Sequence, residues 1–191
     1  INGEPQDYKD TVVYNLNNFI NNITIKWNNY FSRSCCMFLN MDSIIRVDLS
    51  HFDASQITDM RYMFSGCTSL TSINFDNLNT SKVTIVRSMF NSCISLTSLN
   101  LKDFDTSSIS VMIDMFNNCS SIKSLDLSNF DTSEVTTMDG MFKYCTSLKS
   151  LNLNNFNTKK TQNMKNMFYG CNSLIYLNID NFDTSKVRYM D

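Results

Sequence analysis

Apolar residues recur along most of this chain in a fixed frame of 26 residues. Met-Phe pairs stand at Met37-Phe38, Met63-Phe64, Met89-Phe90, Met115-Phe116, Met141-Phe142 and Met167-Phe168. Four residues beyond each Met comes Met41, Cys67, Cys93, Cys119, Cys145 or Cys171, and three further on Ile44, Leu70, Leu96, Ile122, Leu148 or Leu174. An alternating pair follows (Val47/Leu49, Ile73/Phe75, Leu99/Leu101, Leu125/Leu127, Leu151/Leu153, Leu177/Ile179), and Phe52, Leu78, Phe104, Phe130, Phe156 or Phe182 closes each unit. A period of this length with its apolar slots preserved predicts a solenoid, in which each coil buries its apolar face only against its neighbours.

Two periods coexist inside a unit. From Val135 through Met138, Met141, Phe142 and Cys145 the apolar residues fall three or four apart, the spacing of one helical face. Leu151 and Leu153 alternate with Ser150, Asn152 and Asn154, the period of a strand with one buried face. The expected fold is therefore an α/β repeat, with one short parallel strand and one short helix per 26-residue coil. Thr132 or Ser133 is expected to N-cap the helix. Consecutive strands pair in parallel, helices cover the opposite side, and the crossover rule makes the winding right-handed. Residues 37–191 form the six-repeat solenoid. Residues 1–36 fall outside the repeat and are expected to be an N-terminal cap: Thr11–Leu16 and Asn22–Trp27 read as strands, Trp27–Cys36 as a degraded half-repeat, and the first ten or so residues as frayed.

The pattern MFxxCxSLxxLxLxxFDTSxVxxMxx, seen best in Met115–Gly140, resembles the BspA-like leucine-rich-repeat surface proteins, whose repeat also occurs in mycoplasma-type lipoproteins. The resemblance spans Met37–Asp191. It implies a leucine-rich-repeat solenoid, a cell-surface or secreted location, and a part in adhesion or host contact, and it brings no catalytic residues. Leu78 in a Phe slot, Val86 in a Met slot, Thr161 in a Val slot and Lys159-Lys160 at a corner depart from the pattern.

Composition removes several classes of function. A net charge of -2 and a pI near 5.3 give no basic face for nucleic acid. No apolar run approaches the length of a membrane span, so no direct membrane insertion is expected in this segment, and INGEPQDYKD is not a signal peptide; an exported form would be a mature or trimmed one. The one histidine, His51, reads as a solvent-facing corner residue, so no Ser/His/Asp or metal-water site is expected around it, and neither an enzyme nor a cofactor is expected. Of seven cysteines, five share the slot that holds Met41 in the first coil, which favours small buried hydrophobes closed to reagents. Disulfides between coils and a metal row are the alternatives. The corner column Asp53, Asn79, Asp105, Asp131, Asn157 and Asp183 fits helix capping, with calcium as its alternative.

The outward strand positions carry the candidate site. They read Arg46/Asp48, Ser72/Asn74, Ser98/Asn100, Ser124/Asp126, Ser150/Asn152 and Tyr176/Asn178, regular polar ladders suited to hydrogen bonding, with Tyr176 placed to stack on a sugar ring. The expected function is a non-enzymatic recognition or adhesion module for a host or neighbouring-cell protein or glycan. The alternative is a spacer solenoid that projects another domain. The C-terminal coil is expected to be continued by further chain or to self-associate through its open face.

Overall fold

The computed structural model describes residues 34–191 and the two-residue strand β1, Asn22–Ile23. Thr11–Leu16 and most of Trp27–Cys36 therefore lie outside the described residues. Four further strands follow, β2 (Arg46–Asp48), β3 (Ser72–Asn74), β4 (Ser150–Asn152) and β5 (Tyr176–Asn178). They build two parallel sheets, β1-β2-β3 and β4-β5, with Arg46 opposite Ser72 and Ser150 opposite Tyr176. The registers of β2 with β3 and of β4 with β5 advance by one 26-residue unit, as the repeat predicts, whereas Asn22 of β1 pairs with Arg46 24 residues on, outside the repeat frame. Between the sheets the same column continues only as a bridge, Ser124 with Ser150.

The expected helix in each coil is not there. Among the described residues no α-helix forms, and the Val135–Cys145 segment and its equivalents are runs of tight turns. Alternate amides have different destinations. The N–H groups of Met141 and Cys145 reach back three residues, to Met138 and Phe142, whereas those of Met138, Gly140, Phe142 and Tyr144 cross to Asn163, Lys165, Met167 and Tyr169 of the next coil at 2.7–3.0 Å. Residues at the same two positions of every coil adopt positive φ, for example Asp114 (53°) with Asn118 (57°) and Gly140 (60°) with Tyr144 (59°). Two left-handed residues four apart break the helical run and turn alternate N–H groups, their own included, outward along the solenoid. Turns that close every few residues still place side chains three and four apart on one side, which is why the apolar spacing imitated a helix.

That side chain row is the core. Phe38, Phe64, Phe90, Phe116, Phe142 and Phe168 stack face to face, with centroids 5.1–5.9 Å apart and planes within 8°. A second row joins Phe130, Phe156 and Phe182 at 6.4 and 6.5 Å. Leu78 leaves this second row a ring short, and Phe75, which stands where other coils have Leu or Ile, compensates by meeting Phe104, Phe90 and Phe64 edge-on. Thr161, in a slot otherwise Val or Ile, is fully buried and donates its hydroxyl to Val135 O at 3.1 Å. The departures from the repeat are thus absorbed by local packing.

Candidate functional site

The thiol column lies inside the solenoid. Cys67, Cys93, Cys119 and Cys145 are fully buried, and each Sγ, with that of Cys171, points to the carbonyl of the Phe 29 residues earlier at 3.0–3.2 Å. All are free thiols. Burial pushes the Cys67 and Cys145 thiols up to about 12 and raises Cys93, Cys119 and Cys171 as well, because a thiolate there has lost its water. Cys171 departs from expectation in being only half-buried.

The corner residues cap turns instead of helices. Asp53, Asn79, Asp105, Asp131, Asn157 and Asp183 each accept the N–H two residues on at 2.8–3.2 Å, the Asx turn that short polar side chains form readily. The bonds from Ser55 and Ser185 hold the Asp53 and Asp183 carboxyls below their ordinary range. Thr132, expected as an N-cap, instead donates its hydroxyl to Asn157 O of the next coil and accepts Asn157 N–H. Thr80, Thr106 and Thr158 donate in the same way to the carbonyls of Asp105, Asp131 and Asp183. Among the described residues no group of three or more His, Cys, Asp or Glu side chains is placed to hold a metal ion. His51 is an exposed corner residue whose Nδ1 meets Ser50 Oγ at 3.0 Å.

The candidate binding residues stand in two outward columns. Ser72, Ser98, Ser124, Ser150 and Tyr176 are exposed, as are Asn100, Asp126 and Asn152, while Asn74 and Asn178 are half-exposed. The structure brings Ser72 and Asn74 together with Arg46 and Asp48, and Ser150 and Asn152 with Tyr176 and Asn178, as direct strand partners. Ser98, Asn100, Ser124 and Asp126 fall outside the strands, Ser124 being joined to Ser150 by a single bridge. What sequence reasoning missed is a second duty of the Asx column. The side-chain oxygens of Asp48, Asn74, Asn100, Asp126, Asn152 and Asn178 all accept the N–H two residues on, at 2.9–3.2 Å. The signal was present in the strict spacing of Asx before the turn that leaves each strand. These side chains are therefore held in one orientation by the turns that follow them.

Family comparison agrees with this architecture. A model described as "Mycoplasma protein of unknown function, DUF285" matches residues 10–102, 32–127 and 94–191, overlapping as a repeat should. The chain belongs to the DUF285 family. No curated protein matches it. Among solved structures, the T. pallidum leucine-rich repeat protein is similar over 78% of this chain and 61% of its own, at 24% identity and a TM-score of 0.53. A leucine-rich repeat protein from Eubacterium ventriosum aligns at 17% identity over 75% of this chain and 33% of its own, with a TM-score of 0.43. One from Bacteroides ovatus aligns at 22% over 88% and 49%, with a TM-score of 0.38. The DUF285 chain thus spans about three-fifths or less of each of these structures. The T. pallidum likeness supports the repeat-solenoid fold, and with the family match it bears out the leucine-rich-repeat resemblance read from the Met-Phe frame.

Proposed function

We propose that this chain is a non-enzymatic recognition or adhesion module, at a cell surface or secreted, that binds a host or neighbouring-cell protein or glycan on its sheet face. Carrying this reading is the outward Ser and Asx ladder, whose side chains are exposed at regular intervals and already oriented by their turns. Preorganised polar groups lose little freedom on binding, and repeated weak contacts gain by multivalency. A family of leucine-rich-repeat proteins is a setting in which an interaction role is expected.

The spacer alternative has its own support, since one oxygen of every Asx side chain on that face already serves the fold. Binding arrays of glycans and proteins separate the two readings when the intact chain is compared with one carrying Asn74→Ser, Asn100→Ser and Asn152→Ser. A serine hydroxyl accepts the same turn N–H, more weakly and without adding charge, so the fold is kept while three amide groups are removed. Saturable binding that the triple variant loses supports recognition. A partner bound equally well by the folded variant places the site off this face, and binding of nothing at all supports the spacer.

A further inference from the structure

We infer that the sheet face takes an acidic glycan, a polysaccharide bearing carboxylate or sulfate groups, at the cluster Lys123, Lys149 and Tyr176; this rests on the recognition reading above. The slot that leads into each strand is uncharged in four coils (Ile45, Thr71, Thr97, Ile175) and cationic in two adjacent ones, Lys123 and Lys149. Lys149 N–H bonds Lys123 O at 3.3 Å, and the N–H groups of Ile175 and Tyr176 both reach Lys149 O, at 2.9 and 3.2 Å. Lys123 and Lys149 therefore occupy successive rungs, about 4.8 Å apart as neighbouring strands are, with Ile175 on the next rung and Tyr176 one residue beyond it, opposite Ser150. Like charges on adjacent rungs repel. The backbone fastening is also slack here, since Lys123 N–H lies 3.4 Å from Thr97 O, while the equivalent bond from Thr71 to Ile45 is 2.8 Å.

Five of the seven other lysines among the described residues have partners: Lys102, Lys160 and Lys165 face Asp103, Glu134 and Asp191, Lys82 donates to Gln56, and Lys143 lies over the Tyr144 and Tyr169 rings. Lys159 and Lys186 make no ion pair among the described residues, but both lie near enough to Asp183 to lower its carboxyl. No ion pair among the described residues engages Lys123 or Lys149. Asp126, on the same face, holds the Ser128 N–H at 3.0 Å. Two adjacent ammonium groups without a counter-charge form a receptor for an anion. Around them stand the exposed Ser124 and Ser150 hydroxyls, and Tyr176, directly opposite Ser150, is 54% exposed.

An exposed ring beside hydroxyls suits a pyranose, whose C–H face stacks on the ring while its hydroxyls meet serine and its acid group meets lysine. An acidic peptide is a poorer match. It would add to a sheet by pairing backbone at a strand edge, whereas the backbone groups of this surface run along the solenoid into neighbouring coils. The repeat itself supplies fold-preserving substitutions: Lys123→Thr with Lys149→Thr installs the residue of Thr71 and Thr97, and Tyr176→Ser that of Ser150.

Polygalacturonate, dextran sulfate, unsulfated dextran and polyglutamate are the probes, titrated against the intact chain and both variants at low and high salt. The expected result is binding of the two acidic polysaccharides that salt weakens, that the double lysine variant weakens by about tenfold or more, and that Tyr176→Ser weakens without changing its salt dependence. Acidic-polysaccharide binding left intact by the lysine substitutions overturns the inference, as does equal binding of polyglutamate. If dextran or an arrayed neutral glycan binds the sheet face and acidic polymers do not, the inference fails while the recognition reading stands. Loss of both requires that no array partner be found either.

Discussion

The two long faces of this solenoid are fastened differently. Along the turn face, four N–H groups per coil cross to the next coil without interruption from Ser34 to Tyr144, at 2.7–3.1 Å. The sheet face has strands of two or three residues toward both ends and none over Ser98–Asn100 and Ser124–Asp126, where Lys123 and Lys149 make bonds of 3.4 and 3.3 Å. Beneath the turn face lie the stacked Phe rings and the thiols, and beneath the sheet face the aliphatic pairs from Val47/Leu49 to Leu177/Ile179, with Phe75 the one ring among them. The turn face thus holds coil to coil, which leaves the sheet face to vary its outward residues at little cost to stability.

Alkaline pH should strain this arrangement most. Cys67 and Cys145 ionise near 9.0 when unfolded and at about 12 in the fold, so the native state holds their protons where the unfolded state releases them. Their contribution is complete below pH 9 and is lost as pH rises toward 12, by about 1.4 kcal/mol per pH unit for each thiol. Denaturant unfolding followed from pH 8 to 11 should show stability falling with that slope. A variant with Cys67→Ala and Cys145→Ala should be less stable at pH 8 but flatter with pH, and an equally steep fall in that variant would rule out these two thiols as a cause.

Phe116→Ala should come next, at about 3–5 kcal/mol, because Phe116 stacks on both Phe90 and Phe142. A loss below 1 kcal/mol in urea unfolding would mean that the ring row contributes little. Cys119→Ala should cost on the order of 1 kcal/mol by lost packing, and Cys119→Asp several times more, since the site is fully buried and offers a carboxylate no water. Smallest of all, Lys123→Thr on the sheet face should shift stability by no more than about 0.5 kcal/mol. A sheet-face substitution that rivals Phe116→Ala would erase the distinction between the faces.

Much of this was legible in the chain. The Met-Phe frame fixed the coil length, and alternation around Leu151 and Leu153 located the strand and its outward residues. The helix was misread because turns closed every few residues reproduce helical apolar spacing. The corrective signal was the glycine and Asx usage: of the chain's four glycines, Gly66, Gly140 and Gly170 all sit in the left-handed columns, with Asn40, Asn118, Asn166 and Asp114 in the same slots. These are the residues that tolerate positive φ best. Tyr62, Ser88 and Tyr144 share the columns and hid the signal, since the cross-coil bonds hold the backbone there whatever the side chain. The duty of Thr132 was not legible either, because a hydroxyl that serves the next coil is indistinguishable in sequence from one that caps its own.

Native-state amide hydrogen exchange, read residue by residue, tests the central claim most directly. If the turn face is the continuous fastening, the N–H groups of Phe90, Phe116 and Phe142, each bonded across a junction, should exchange only through global unfolding, with the full protection of the fold. Those of Lys123 and Lys149 should exchange faster through local opening. Equal or greater protection at Lys123 and Lys149, with Phe90, Phe116 and Phe142 exchanging early, would contradict the account and make the sheet the spine of the molecule.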